Sequence, residues 1–114
     1  MKAILGAAAL AASAVALLSG PVQAQSQPGT LRFEEAAYVS CRDAQAMTPV
    51  DRRNVAVFLA EHSSRYHGVM LPDGEEGTRL GQLVRAACTL YPESKLFGVI
   101  DRAIVLERDK LAKR

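Results

Sequence analysis

Two cysteines, Cys41 and Cys88, constrain the fold of this chain more than any other feature of its sequence. They are its only cysteines and lie 47 positions apart. Neither belongs to a CxxC or CxxCH motif, so the chain lacks the signatures of redox catalysis and covalent haem attachment. Two cysteines in a small exported domain usually form a disulfide, and two free thiols are the alternative. A disulfide closing so long a loop is expected to stabilise the fold by about 4 kcal/mol in the chain-entropy model.

The first 24 residues predict export. Met1-Lys2 is a short basic start, Ala3–Leu18 is an apolar, alanine-rich run, and Ser19-Gly20-Pro21 ends that run. Val22 and Ala24 are small residues at the two positions that a signal peptidase recognises, which predicts cleavage after Ala24. A membrane-spanning helix is the alternative, but the run is short for a hydrocarbon core about 30 Å thick. We therefore expect a periplasmic protein that is not attached to the membrane after cleavage.

Cleavage would leave residues 25–114 of the 114-residue chain. Residues 25–30 are polar and contain proline and glycine, so they predict a flexible tail. Residues 31–114 are predicted to form one domain with a single modest core. Loss of Lys2 leaves thirteen of the fourteen basic side chains against twelve acidic ones, and both signs are interspersed. Because there is no basic stripe with interleaved aromatic residues, nucleic acid is not expected as a partner.

The first part of the domain has apolar residues at helical spacing. Phe33, Ala37 and Cys41 follow one another at intervals of four residues. This spacing places them on one face of a helix predicted over Leu31–Ala46. Ser40 offers an alternative, because its side chain could cap a shorter helix that begins at Cys41.

The clearest local signal marks the start of a second helix. Thr48 can accept hydrogen bonds from the amides of the first turn, and Pro49 suits the first helical position because it has no N–H. Asp51 adds negative charge at the positive end of the helix dipole. This helix is predicted over Pro49–Tyr66. The side chains expected on its main apolar stripe are Val55, Phe58, Leu59, His62 and Tyr66.

A loop and a third helix are predicted next. Residues 67–77 form the loop, and Leu71-Pro72-Asp73-Gly74 within it has the composition of a tight turn. Thr78 is expected to cap the third helix. Tyr91-Pro92 ends it, because the residue before a proline disfavours helical backbone. The residues expected on its inner face are Leu80, Leu83, Val84, Ala87 and Cys88.

A last helix is predicted from Pro92 to about Lys110. Gly98 inside it costs about 1 kcal/mol relative to alanine, which predicts close backbone packing at that point. The residues expected to face inward are Leu96, Val99, Ile100, Ala103, Ile104 and Leu111. No alternating strand pattern recurs along the chain. The predicted fold class is therefore all-α, a small bundle of three to four helices whose first and third members are joined by the disulfide.

No group of residues predicts catalysis or metal binding. His62 and His67 lack further ligands in register, so we interpret them as one half-buried and one loop histidine. Glu75-Glu76 is interpreted as a pair of solvated charges near a helix start. Ser63-Ser64 has no nucleophile-elbow context. The sequence therefore predicts that the protein is not an enzyme and that it has no catalytic, metal or cofactor site.

The apolar residues Val55, Phe58 and Leu59 carry two interpretations. They can belong to the core of the bundle, as most residues of such helical stripes do. They can also be in excess of what the core needs, and then they form a surface for a second copy of the chain or for a captured protein. Helical spacing alone does not separate these interpretations.

Several short motifs together resemble the HdeA/HdeB family of periplasmic acid-stress chaperones. After a signal peptide and a polar tail, Ser40-Cys41-Arg42-Asp43 opens the domain, and Ala46-Met47-Thr48-Pro49-Val50 leads into a helix. Ala86-Ala87-Cys88 places the second cysteine near the end of a later helix, and an amphipathic helix follows. The family often has an aromatic residue where this chain has Ala44, and HdeB carries paired aromatic residues where this chain has Asp51-Arg52-Arg53.

The resemblance covers residues 39–104 and implies a function. Proteins of this family are small and helical, contain one disulfide, and are homodimers near neutral pH. At low pH they dissociate and loosen, and the apolar surface that they expose holds acid-unfolded periplasmic proteins until the pH recovers. They use no ATP or other cofactor.

The sequence leaves two other functions open. Gly81-Gln82-Leu83-Val84 ahead of Tyr91-Pro92-Glu93 is similar to the small helical immunity proteins of type VI secretion, which usually carry more cysteines. A periplasmic binding or immunity-type module for one partner protein is therefore the alternative. A purely structural envelope protein is a third interpretation.

Overall fold

Five α-helices and one 3₁₀ helix make up residues 31–114, the part of the chain that the computed structural model describes. The elements are α1 (Phe33–Ala36), α2 (Cys41–Gln45), α3 (Pro49–Tyr66), α4 (Gly74–Leu90), α5 (Leu96–Glu107) and the 3₁₀ helix Arg108–Lys110. Within this range there is no strand, and only two isolated backbone bridges occur. The all-α prediction is confirmed, although the number of helices is five. The predicted signal peptide (1–24) and flexible tail (25–30) lie outside the described residues.

The segment Leu31–Ala46, predicted to be one helix, forms two short helices. A capping box separates them: the Asp43 amide donates to Ser40 Oγ (3.0 Å), and the Ser40 amide donates to Asp43 Oδ2 (3.1 Å). This arrangement satisfies amides that would otherwise be unpaired at the start of α2. The alternative start at Cys41 is therefore the one that the chain adopts, and Phe33 and Cys41 belong to different helices.

Helix α3 begins and ends as predicted. Thr48 Oγ1 accepts a hydrogen bond from the Asp51 amide (3.2 Å), and Pro49 occupies the first turn. The predicted apolar stripe is only partly correct, because Tyr66 is 85% exposed. The buried positions of α3 are Val55, Leu59, Ala60, Ser63 and Ser64. The last turns of α3 therefore bury the hydroxyls of Ser63 and Ser64. These hydroxyls donate to Asp101 Oδ1 and to the Glu61 carbonyl.

Helix α4 begins at Gly74, four residues before the predicted cap. Thr78 Oγ1 donates to the Gly74 carbonyl (3.1 Å), so Thr78 lies inside the helix and does not cap it. Gly77 lies in the first turn, where a Cβ atom would come within 2.8 Å of the Pro72 carbonyl oxygen. The absence of a side chain at Gly77 is what lets the turn at Pro72 pack so closely against α4.

Helix α5 begins at Leu96, because the segment Pro92–Lys95 forms a turn. The Ser94 amide donates to the Tyr91 carbonyl (3.0 Å), and the Leu96 amide donates to the Val39 carbonyl (2.8 Å). The predicted close packing at Gly98 is wrong, since a Cβ atom there would meet no atom within 4 Å.

The core lies where α5 packs against both α3 and α4. It contains fourteen buried apolar residues, of which four are alanines and two are the cysteines. The buried residues of α5 and the segment after it are Leu96, Ile100, Ala103, Ile104 and Leu111. This core is small, so the domain relies on further links between its elements. No helix within residues 31–114 is long and apolar enough to cross a membrane.

Candidate functional site

The predicted disulfide joins Cys41 at the start of α2 to Cys88 near the end of α4. The two Cα atoms are 5.2 Å apart, and the side chains are 0% and 6% exposed. The amides of Cys41 and Arg42 donate to the carbonyls of Ser94 and Pro92, each at 2.8 Å. The short helix α2 is thus attached covalently to α4 and by backbone hydrogen bonds to the turn before α5. The covalent link does not depend on pH in the acid range, whereas charged contacts do.

The predicted contact surface of Val55, Phe58 and Leu59 lies mostly inside the folded domain. Val55 is 7% exposed, Leu59 is fully buried, and Phe58 is partly buried against the core. In the folded state Val55 and Leu59 cannot contact another protein. They can do so only after the domain opens.

Other apolar side chains are exposed on the folded domain. Leu83 (38% exposed) and Leu90 (71%) are seven residues apart on one face of α4, and Tyr91 (63%) follows Leu90. Leu83 was predicted to face inward, and it does not lie in the core. The remaining large exposed apolar side chains within residues 31–114 are Tyr38, Val50, Val57, Tyr66, Met70 and Leu106.

Three carboxylates connect segments that are far apart in the sequence. Glu93 accepts hydrogen bonds from Arg42 through Nε (2.8 Å) and through Nη2. Asp101 of α5 contacts the end of α3, as described below. Glu61 of α3 lies 3.7 Å from the guanidinium of Arg114, whose amide donates to the Gly68 carbonyl. Sequence reasoning identified none of these pairs.

Asp101 is the centre of a polar cluster between α3 and α5. Its Oδ1 accepts from Ser63 Oγ (2.8 Å) and lies 2.9 Å from His67 Nε2. Ser63 is fully buried, and the His67 side chain is 14% exposed. The Ser63 hydroxyl donates to Asp101 and not to His67. The imidazole of His67 is therefore not placed to act as a general base toward Ser63. The arrangement fastens two helices and does not activate a nucleophile.

His62 and His67 have separate environments. His62 stacks on the ring of Phe33, with ring centroids 3.9 Å apart. His67 caps the end of α3 and faces Asp101. Among residues 31–114 no three histidine, cysteine or acidic side chains are grouped so that they could hold a metal ion.

Asp43 is the one carboxyl in the described part of the chain with a clearly shifted pKa. The hydrogen bond from the Ser40 amide lowers the pKa of Asp43 most, and the Ser40 hydroxyl together with nearby Lys95 and Arg42 lowers it further. The carboxylate is therefore favoured in the folded state. The contribution of Asp43 to stability is present above the ordinary aspartate pKa of about 4 and is lost as the pH falls through the lowered value.

Comparison with protein-family models, with curated proteins and with solved structures finds no match to this chain. The resemblance to the HdeA/HdeB family, stated from short motifs and their order, stays a prediction.

Proposed function

We propose that this protein is a periplasmic, ATP-independent holdase that loosens at low pH and binds acid-denatured proteins, as its resemblance to the HdeA/HdeB family implies. The observation that carries the proposal is the role of Glu61, Glu93 and Asp101, which link distant segments around a small core. Each of these links depends on a carboxylate, whereas Cys41–Cys88 is a covalent link that acid leaves intact.

The overall charge supports the same direction of change. Residues 31–114 hold thirteen basic and twelve acidic side chains, which nearly balance at neutral pH. Below about pH 3 most carboxylates are neutral. The thirteen cations and two histidinium groups then carry fifteen positive charges. Their mutual repulsion favours an expanded chain over a compact one.

Loosening would make buried apolar surface available. Val55 and Leu59 are buried residues of α3, which packs against α5. Opening of the domain would expose both residues beside Phe58, which is already partly accessible. We propose that this surface holds acid-unfolded periplasmic proteins, while Cys41–Cys88 limits how far the chain can expand.

The folded state has its own candidate surface for a homodimer. Leu83, Leu90 and Tyr91 form an apolar strip on α4 and at its end. A second copy packed on this strip near neutral pH would remove these side chains from water. Positive charge on both copies would drive them apart in acid and leave the strip free for clients.

The proposal is tested by light scattering of an aggregating client protein across the range from about pH 2 to pH 7. We expect aggregation to be suppressed at about pH 2 to 3 and little affected near neutrality. An inert protein of similar size at equal concentration controls for crowding. Equal inactivity at both ends of the range would exclude the holdase function.

The exposed strip on α4 also favours a second candidate, the binding module for one partner protein. Leu83 and Tyr91 fall within the two segments that are similar to immunity proteins. A pull-down from periplasmic extract distinguishes the two functions. One stoichiometric partner near neutral pH favours the binding module, whereas many proteins captured only in acid favour the holdase.

A further inference from the structure

A cleft beside the Asp101 cluster has the chemistry of a binding site for an organic cation. It has a volume of about 340 Å³ and is lined by Phe33, His62, Tyr66, Phe97 and Asp101. This volume lies in the range of small-molecule sites. We propose that the folded protein binds here a ligand that carries an ammonium or guanidinium group on an apolar body. The inference is independent of the holdase function, because it concerns the folded state near neutral pH.

The aromatic walls of the cleft are held in place by their own packing. Phe33 stacks on His62, with ring centroids 3.9 Å apart. Phe97 meets Phe33 edge to face, with centroids 5.0 Å apart and planes at 87°. Phe33 and Phe97 also pack against the core. The cleft is therefore formed before a ligand arrives, and aromatic ring faces attract cations.

The charge at the cleft selects the sign of the ligand. Asp101 is 36% exposed, and both of its hydrogen bonds within residues 31–114, to Ser63 and His67, use Oδ1. Oδ2 takes no hydrogen bond from either residue. No lysine or arginine lines the cleft. A carboxylate oxygen beside aromatic rings complements a cation and disfavours an anion.

Tyr66 supplies the remaining contact. Its side chain stands at the cleft and is 85% exposed. A ligand in the cleft would cover part of this ring. Removing this apolar surface from water favours the binding of any apolar body. Only a cation gains in addition from Asp101 and from the ring faces. Preference for a cation over a neutral molecule of the same shape is therefore the signature of this site.

Benzylamine and benzyl alcohol form a matched pair of probes for that preference. Their binding to the purified full chain can be followed by NMR titration at about pH 8, above the ordinary titration range of histidine. We expect benzylamine to bind about tenfold more tightly than benzyl alcohol. Equal affinity, or no saturable binding of benzylamine below about 10 mM, would overturn the proposal.

Three variants locate the binding. Asp101→Asn keeps an acceptor for Ser63 and His67 but removes the charge, so the preference for benzylamine should fall below about threefold. Tyr66→Ala alters a side chain that the fold leaves in water, and should weaken benzylamine binding about threefold or more. Tyr38→Ala removes a similarly exposed ring (72%) that does not line the cleft, and should leave the affinity unchanged. Unchanged binding in both Asp101→Asn and Tyr66→Ala would show that the cleft is not the site.

A second pair of probes distinguishes a cationic protein side chain from a free amine as the ligand of the cleft. Nα-acetyl-lysinamide carries the lysine side chain of a protein, and Nα-acetyl-norleucinamide is its uncharged counterpart. Lysinamide binding at least as tight as that of benzylamine, with a clear preference over norleucinamide, assigns the site to a cationic protein side chain. Tighter binding of benzylamine assigns it to a free amine. Neither cation exceeding its neutral counterpart would contradict the proposal.

Discussion

Asp101 shows how one side chain can join two helices in a domain with a small core. It lies on α5, and its Oδ1 is shared by Ser63 and His67, which precede it by 38 and 34 positions. A hydrogen bond to a charged group contributes about 1.5 to 3 kcal/mol, more than one between neutral groups. The contact therefore helps to hold α3 against α5, although exposure of the Asp101 side chain to water reduces its contribution.

The Ser40–Asp43 capping box gives a test of pH dependence at a single residue. Asp43→Ala removes a carboxylate whose pKa is lowered in the folded state. The variant should therefore be less stable than the parent near neutral pH, and the difference should shrink as the pH falls towards about 3. Urea unfolding at successive pH values measures this difference in free energy.

Asp51→Ala is the matched control for Asp43→Ala. Asp51 occupies the corresponding position of α3, but its carboxylate takes no hydrogen bond from the amide of the capping residue Thr48. We expect a smaller effect for Asp51→Ala at neutral pH. If the two variants were equally stable at every pH, the hydrogen bond from the Ser40 amide to the Asp43 carboxylate would contribute nothing to the free energy of unfolding.

At the scale of the helices, the ends that depend on local chemistry were predictable and those that depend on packing were not. Thr48, Pro49 and Asp51 fixed the start of α3, because a cap and a proline act within one turn. The start of α4 was misplaced, since Thr78 has the residue type of a cap but lies inside the helix. The start of α5 was also misplaced, and there the Leu96 amide donates to the Val39 carbonyl, a contact between segments far apart in the sequence.

The first turn of α4 offers a second test. Gly77→Ala places a Cβ atom 2.8 Å from the Pro72 carbonyl oxygen, so the turn or the helix must shift. We expect a loss of about 1 to 3 kcal/mol in the free energy of unfolding. Gly81→Ala in the same helix meets no atom within 4 Å and should instead stabilise the domain by up to about 1 kcal/mol. Thermal and urea unfolding of both variants checks the opposite signs. Stabilisation by Gly77→Ala would contradict the close approach.

The candidate site was predictable only in part for the same reason. The disulfide followed from cysteine number and compartment. Glu61, Glu93 and Asp101 pair with residues that only the tertiary fold brings near, and no local pattern marks them. Ser63 is buried beside α5, where Asp101 accepts a hydrogen bond from its hydroxyl.

At the scale of the whole molecule, the disulfide and the carboxylates respond differently to acid. Arg42–Glu93, the Asp101 cluster and Glu61–Arg114 each depend on a carboxylate, whereas Cys41–Cys88 is covalent. In acid, repulsion among fifteen positive charges acts against the small core. We expect the chain to loosen under this repulsion without reaching the dimensions of a fully unfolded chain, because the disulfide persists.

The double variant Cys41→Ser/Cys88→Ser tests the role of the disulfide. It should lower the free energy of unfolding by about 4 kcal/mol and should also abolish protection of clients in acid. Ile104→Ala removes a fully buried side chain of α5, outside the proposed client surface, and should cost about 2 to 5 kcal/mol while the disulfide stays intact. We expect Ile104→Ala to retain protection. Equal loss of protection in the two variants would reduce the role of the disulfide to stability alone.

A single acid cycle tests the proposed holdase function most directly. A client enzyme is mixed with the protein near neutral pH, taken to about pH 2.5, and then returned to neutral pH. The fraction of client that is soluble and active is measured after the cycle. We expect recovery to rise with the concentration of the protein and to approach completion at a slight molar excess. Recovery no higher than that obtained with an inert protein of equal concentration would contradict acid-activated holding of clients.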